Sequence, residues 1–248
     1  MIEKKDKKTK IAKERPQLLE SLAWIVGAIL AFVAASFLSS GLIWLLGKMG
    51  LTLYANGTVE VLIERIVVYV IMVALMLGVT WWLGKKLTWR EMGLWRLPDW
   101  RDIGLGIVGI LGYLILTTTM LSIAQNIPGF DVDQAQDTGL GMLFSLDLLM
   151  AFLVLVVATP FFEEWIFRGI LYGGLRRARM PWWGATLLVS VLFGVAHMQW
   201  NVGIDVFALS VVMCILRERT NSIWAGFLLH AAKNFVAFYV TFVAVQSF

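Results

Sequence analysis

The sequence predicts an all-α fold: a polytopic membrane helix bundle of about seven transmembrane helices, with the N-terminus inside. Three observations lead there. Of 248 residues, 59% are hydrophobic and only 15% charged, whereas a soluble globule carries about 25% charged residues. The apolar residues fall into long stretches near the ~20 residues that a bilayer-crossing helix needs. Basic residues gather in alternate connections. Together with a mean hydropathy of +0.78, these features exclude a water-soluble enzyme, a nucleic-acid module and a disordered chain. The net charge of +4 reads as membrane topology, since Lys and Arg concentrate in cytoplasmic loops.

Residues 1–19 form a basic cytoplasmic tail, read as disordered over 1–15. The first span covers 20–47; it runs too far to be a cleaved signal peptide and is read as an uncleaved helix. Asn56-Gly57-Thr58 follows as a sequon that marks a turn. Spans two and three cover 62–84 and 103–125, completing an N-terminal unit of 20–125. The 126–145 connection holds Asp131, Asp133 and Asp137 and no basic residue. A second unit, 146–246, contains spans at 146–172, 183–200, 203–217 and 222–246; the sixth is the shortest and carries Asp205.

The charges fit seven crossings. Seven basic residues lie in the tail, five in 85–102, three in 173–182 and two in 217–221, so 17 of 21 fall on one side. Trp24, Trp44, Trp81, Trp82, Trp182, Trp183, Trp200 and Trp224 lie near span ends, where an amphipathic indole prefers to sit. Trp165 is the exception. The single cysteine, Cys214, rules out an intrachain disulfide and a Cys-rich metal site.

Ionisable groups within spans are costly, about 2.5–3.5 kcal/mol each at the bilayer centre, and so point to a partner or a function. Glu163, Glu164 and Arg168 stand together in span four. Both histidines, His197 and His230, also lie in spans, as do Lys233 and Asn234. Glu164 and Arg168 are spaced i and i+4, which allows an ion pair on one helix face. Glu163 points about 100° away, without a local counter-charge, as suits a general base. His230 and Asn234 also share a face, and Phe193, one turn before His197, is placed to wall a pocket and hold the imidazole.

Counting from the turn near Met180, Glu163 lies 17 residues before it and His197 17 after. Two antiparallel helices leaving one turn reach equal depth at equal count, so the two side chains can meet. Pro160, one turn before Glu163, interrupts the backbone ladder of span four. Glu163 with His197 can deprotonate a water, and His230 with Asn234 can hold a tetrahedral oxyanion, a contribution of about 2.7–4 kcal/mol per donor. The same residues could instead bind a divalent metal such as zinc through His197, His230 and Glu163, although the HExxH motif of common zinc proteases is absent.

Three patterns occur in order: Glu163-Glu164-x-x-x-Arg168, Phe193-x-x-x-His197 and His230-x-x-x-Asn234. This arrangement resembles the CPBP family of intramembrane proteases, which includes CAAX proteases and bacteriocin-processing (Abi) enzymes. The similarity covers about 146–240. It implies an endopeptidase of the multi-pass membrane class, located in the cell membrane if bacterial, with its site reached from the cytoplasmic side. By resemblance Glu163 and His197 activate water, His230 and Asn234 hold the oxyanion, and Glu164 and Arg168 support the site. The family has been described both as glutamate-based and as metal-dependent. The implied partners are the lipid bilayer and a peptide or protein substrate. Lys233 is not part of the family pattern; directed into the pocket, it would pair with Glu163. Two other readings use the same residues: an ion-coupled transporter, and an immunity or scaffold protein that binds a peptide without cutting it.

Overall fold

In the computed structural model, residues 2–49, 57–82, 84, 86–132, 134, 140, 141, 143 and 145–244 are described. They form seven helices, with no strand among them. These are α1 (Ile2–Lys48), α2 (Gly57–Trp82), α3 (Trp100–Ala124), α4 (Leu146–Arg177), α5 (Trp182–Ala196), α6 (Trp200–Thr220) and α7 (Trp224–Val243). Six are long and apolar enough to cross a bilayer, counting Leu18–Lys48 for α1; α5 is shorter. The chain is a multi-pass integral membrane protein. Its outward surface agrees: Phe37, Trp81, Trp82, Val108, Ile115, Trp183 and Val240 are all exposed, as side chains solvated by lipid should be.

The helices differ from the sequence reading at three places. The fifth span, not the sixth, is the short one. It has 15 residues, about 22 Å at 1.5 Å per residue, and ends at Ala196, so His197 caps the helix instead of lying within it. The sixth helix runs 21 residues and includes Asp205, which is accommodated by polar neighbours. The expected disordered tail continues α1 without a break from Ile2; its Lys, Glu and Ala residues are strong helix formers. Trp24, near the start of the first span, is fully buried by protein. Asn56 of the sequon, and Asp133 and Asp137 of the acidic connection, lie outside the described residues.

α4 is the centre of the bundle and touches α1, α2, α5, α6 and α7. It is not a uniform helix. Wider π turns at Leu153–Ala158 and Glu164–Leu171 alternate with α-helical turns. Such bulges cluster at functional sites. Its final turns are packed too closely for larger side chains. A Cβ on Gly174 would lie 2.4 Å from the Trp24 ring, and one on Gly173 would lie 2.6 Å from the Glu91 carbonyl. These two positions let α1 and the connection at 86–99 close directly on α4. The main core contains Trp24, Met76, Tyr172, Leu175, Phe193, Leu209 and Met213.

Candidate active site

The local structure of α4 begins with Pro160. In a π turn each carbonyl is paired with the N–H five residues on, and Thr159 N–H is accordingly bonded to the Val154 carbonyl. The Leu155 carbonyl would then look to residue 160, a proline without an N–H. Asn234 on α7 supplies the missing donor: its Nδ2 lies 2.9 Å from the Leu155 oxygen. One of the two Asn234 amide hydrogens is thus committed to repairing the backbone. This contact also ties α7 to α4 about two turns before the carboxylates.

Glu163 and Glu164 face different partners. Glu164 and Arg168, both wholly buried, form an ion pair at 2.8 Å. The Arg168 guanidinium lies 4.4 Å above the Phe193 ring, while its Nε and Nη2 have no hydrogen-bond partner. The aromatic face therefore takes part of the role that acceptors would otherwise play. Glu163 receives the Tyr69 hydroxyl from α2 on Oε1, at 2.5 Å. Its other oxygen faces His230: Nε2 is 3.6 Å from Glu163 Oε2, and Nδ1 is 3.5 Å from Glu164 Oε1. One imidazole thus stands between two carboxylates. Both separations lie within ion-pair range but beyond an ordinary N–H···O hydrogen bond.

Phe193 joins the second histidine to the first. Its ring meets the His197 ring edge-on at 5.0 Å and the His230 ring at 5.9 Å. His197 Nδ1 lies 2.9 Å from the Phe193 carbonyl. A carbonyl only accepts, so Nδ1 carries the hydrogen, and in the neutral ring Nε2 is left as a proton acceptor. Glu163, Phe193, His197, His230 and Asn234 all line one cavity of about 840 Å³. The seven residues singled out in the sequence therefore assemble around a single place: these five on its walls, with Glu164 and Arg168 buried directly behind.

Lys233 also borders the cavity, but its ammonium pairs with Asp205 Oδ2 at 3.4 Å. Asp205 Oδ1 accepts from Tyr113 at 2.6 Å and Thr117 at 2.8 Å. This separate cluster of α3, α6 and α7 satisfies Lys233 and leaves Glu163 to Tyr69 and His230. Among the described residues, no group of three or more His, Cys, Asp or Glu side chains is arranged to hold a metal ion. The ligand set His197, His230 and Glu163 is not assembled as such.

The sequence reading missed Tyr69. A signal existed: it lies at the middle of a 26-residue helix, whereas membrane tyrosines usually sit at the interfaces. Comparison with known families matches residues 145–236 to the family model described as Type II CAAX prenyl endopeptidase Rce1-like. This agrees with the resemblance carried by the three sequence patterns. All seven predicted site residues fall within the matched segment, and Tyr69 lies outside it. No curated protein and no solved structure matches the chain.

Proposed function

We propose that this protein is an intramembrane endopeptidase in which Glu163 activates water against a peptide bond. The observation that carries the reading is the setting of Glu163. One carboxylate oxygen is aimed by Tyr69 and the other faces His230, beside the floor of a cavity large enough for a peptide segment. The family match supports the same chemistry, since its description names an endopeptidase.

The reaction follows from the donors and acceptors present. A water between Glu163 and His197 Nε2 loses a proton to the carboxylate. The resulting hydroxide adds to the substrate carbonyl carbon, and the carbonyl electrons move onto oxygen. His230, through Nε2–H, and the remaining amide hydrogen of Asn234 are the donors for that oxyanion. When the C–N bond breaks, the proton held by Glu163 passes to the departing amine. Each donor of this kind contributes about 2.7–4 kcal/mol in well-studied hydrolases. Glu164 and Arg168 neither give nor take a proton. Their pair holds Phe193 and His230 in place from behind.

The test is Glu163→Gln in the full chain, purified in detergent and offered a library of internally quenched peptides. The amide keeps the shape and the ability to accept from Tyr69 but cannot take the proton. The expected result is wild-type thermal unfolding with cleavage lost. Retained cleavage would overturn the assignment of Glu163, and a non-cleaving peptide binder would show no cleavage in the wild type either.

A further inference from the structure

We infer that the cavity receives its peptide from the membrane face opposite the basic loops, so that the substrate is a segment presented on the outer face. This rests on the peptidase reading for the nature of the ligand. The direction of entry rests on the shape of the cavity and the distribution of charge.

The cavity lies toward one end of the bundle and reaches to just past its middle, where α4 lines it from Leu155 to Phe167. α1 contributes Phe32 to Ser40, late in its span; α2 contributes Val61 to Met72, in its first two-thirds; α6 contributes Val202 and Val206, at its start. α5 contributes only its end, Phe193 to His197, and α7 runs along the cavity from His230 to Phe242. Allowing for the alternating helix directions, all these segments point toward the end of the bundle where α1 and α3 finish, α2 and α4 begin, and α5 gives way to α6 at 197–199. Exposure follows the same axis. Phe193 and His230, at the floor, are 1% and 3% exposed; toward the rim Ser40, Ala237 and Thr241 are exposed, while Ser39, Phe238 and Phe242 beside them stay buried.

The opposite end is closed. The connection at 86–99 folds beneath α4, α6 and α7 and is fastened by its backbone. Arg217 donates to the Glu91 carbonyl at 2.6 Å, Ile223 N–H to Gly93 at 3.2 Å, and Trp224 Nε1 to the Arg96 carbonyl at 2.6 Å. Met92 is buried in the core. A peptide entering from this side would have to unseat a packed segment. This closed face carries the basic connections 85–102, 173–182 and 217–221, which the charge rule for membrane proteins places in the cytoplasm. The open face is therefore external, and the cytoplasmic entry implied by the family resemblance does not fit this chain.

The rim also indicates what enters. On one side Ser36, Ser39, Ser40, Glu64 and Arg65 offer polar groups, with the Ser40 hydroxyl bonded to Glu64 at 3.2 Å. On the other, Leu155, Val206, Phe238 and Phe242 are apolar. Such a mouth suits a peptide with an apolar stretch next to a polar one, taken from the outer surface.

Cysteine labelling tests the direction without requiring activity. Native Cys214 is fully buried and serves as the blank. Thr241→Cys and, separately, Ser40→Cys probe the rim; Arg219→Cys probes the closed face, where the native side chain is exposed. In spheroplasts of a bacterial expression host, a membrane-impermeant maleimide should label both rim variants. It should label Arg219→Cys only after permeabilisation, with at least a tenfold contrast between the two. The reverse pattern, equal labelling of all three, or rim variants that react only after denaturation would overturn the inference. An impermeant quenched peptide should then be cleaved by spheroplasts and not by inverted vesicles; cleavage by inverted vesicles alone would also overturn it. If neither preparation cleaves while the labelling pattern holds, the peptidase reading fails and the direction of the cavity stands.

Discussion

Removing the Tyr69 hydroxyl isolates one interaction of the proposed base. In Tyr69→Phe the ring is retained, so its stacking on Phe162, at 5.9 Å and an interplanar angle of 3°, survives. What is lost is the hydrogen bond to Glu163 Oε1 at 2.5 Å. A hydrogen bond to a charged partner contributes about 1.5–3 kcal/mol, and each 1.36 kcal/mol is a factor of ten in rate. If the bond is needed to aim the carboxylate, kcat falls about 10- to 150-fold. The change in stability is smaller, because Glu163 borders a cavity in which water can take the place of the hydroxyl. KM should change little, since Tyr69 orients the base and is not assigned a role in binding peptide. The assay is steady-state cleavage of a quenched peptide in detergent, alongside thermal unfolding of the same preparation. A variant with wild-type kcat would refute the role of Tyr69 in positioning. A variant whose activity falls only in proportion to its loss of folded protein would reduce Tyr69 to a packing residue.

Two further predictions concern the scaffold. Gly174→Ala places a methyl 2.4 Å from the fully buried Trp24 ring, so it should destabilise by about 1–3 kcal/mol through overpacking. Gly104→Ala, where nothing lies within 4 Å, should be neutral or stabilising in the same detergent-unfolding measurement. Arg168→Met leaves Glu164 charged and wholly buried, at a cost of about 3–5 kcal/mol. The double variant Arg168→Met with Glu164→Gln removes the stranded charge and should recover part of that loss in thermal unfolding; a double variant as unstable as the single would show that the pair is not what holds this region.

Much of this arrangement was legible because charge is rare in the chain. In a sequence with 15% charged residues, Glu163, Glu164 and Arg168 within one span are conspicuous, and helical rise places His197 near their depth. Spacing of four read the Glu164–Arg168 contact correctly even through a π turn. It could not read Tyr69, whose partner is 94 residues away, because a long-range pair leaves no local pattern. The same limit applies to Lys233, whose preference for Asp205 over Glu163 depends on how α6 and α7 face each other. Hydropathy was weakest at α5, where the apolar stretch continues past the helix end. The backbone turns out of the helix at Met198, with a φ of 55°, a termination that composition does not encode.

Asn234 shows why a motif residue should be read together with the backbone it faces. From spacing alone its amide is an oxyanion donor, because it shares a face with His230. In the fold, its first obligation is to the Leu155 carbonyl that Pro160 leaves without a partner. The two functions do not conflict, since a primary amide has two hydrogens on Nδ2, but they are coupled. The hydrogen bond that repairs α4 fixes the plane of the amide, and the second hydrogen is fixed with it. Proline in α4 and asparagine in α7 thus act as one device. The break widens the helix just before Glu163, and the repair draws His230, one turn earlier on α7, against both carboxylates. On this account the geometry of the proposed catalytic site is set by a defect in the central helix and by the side chain that satisfies it.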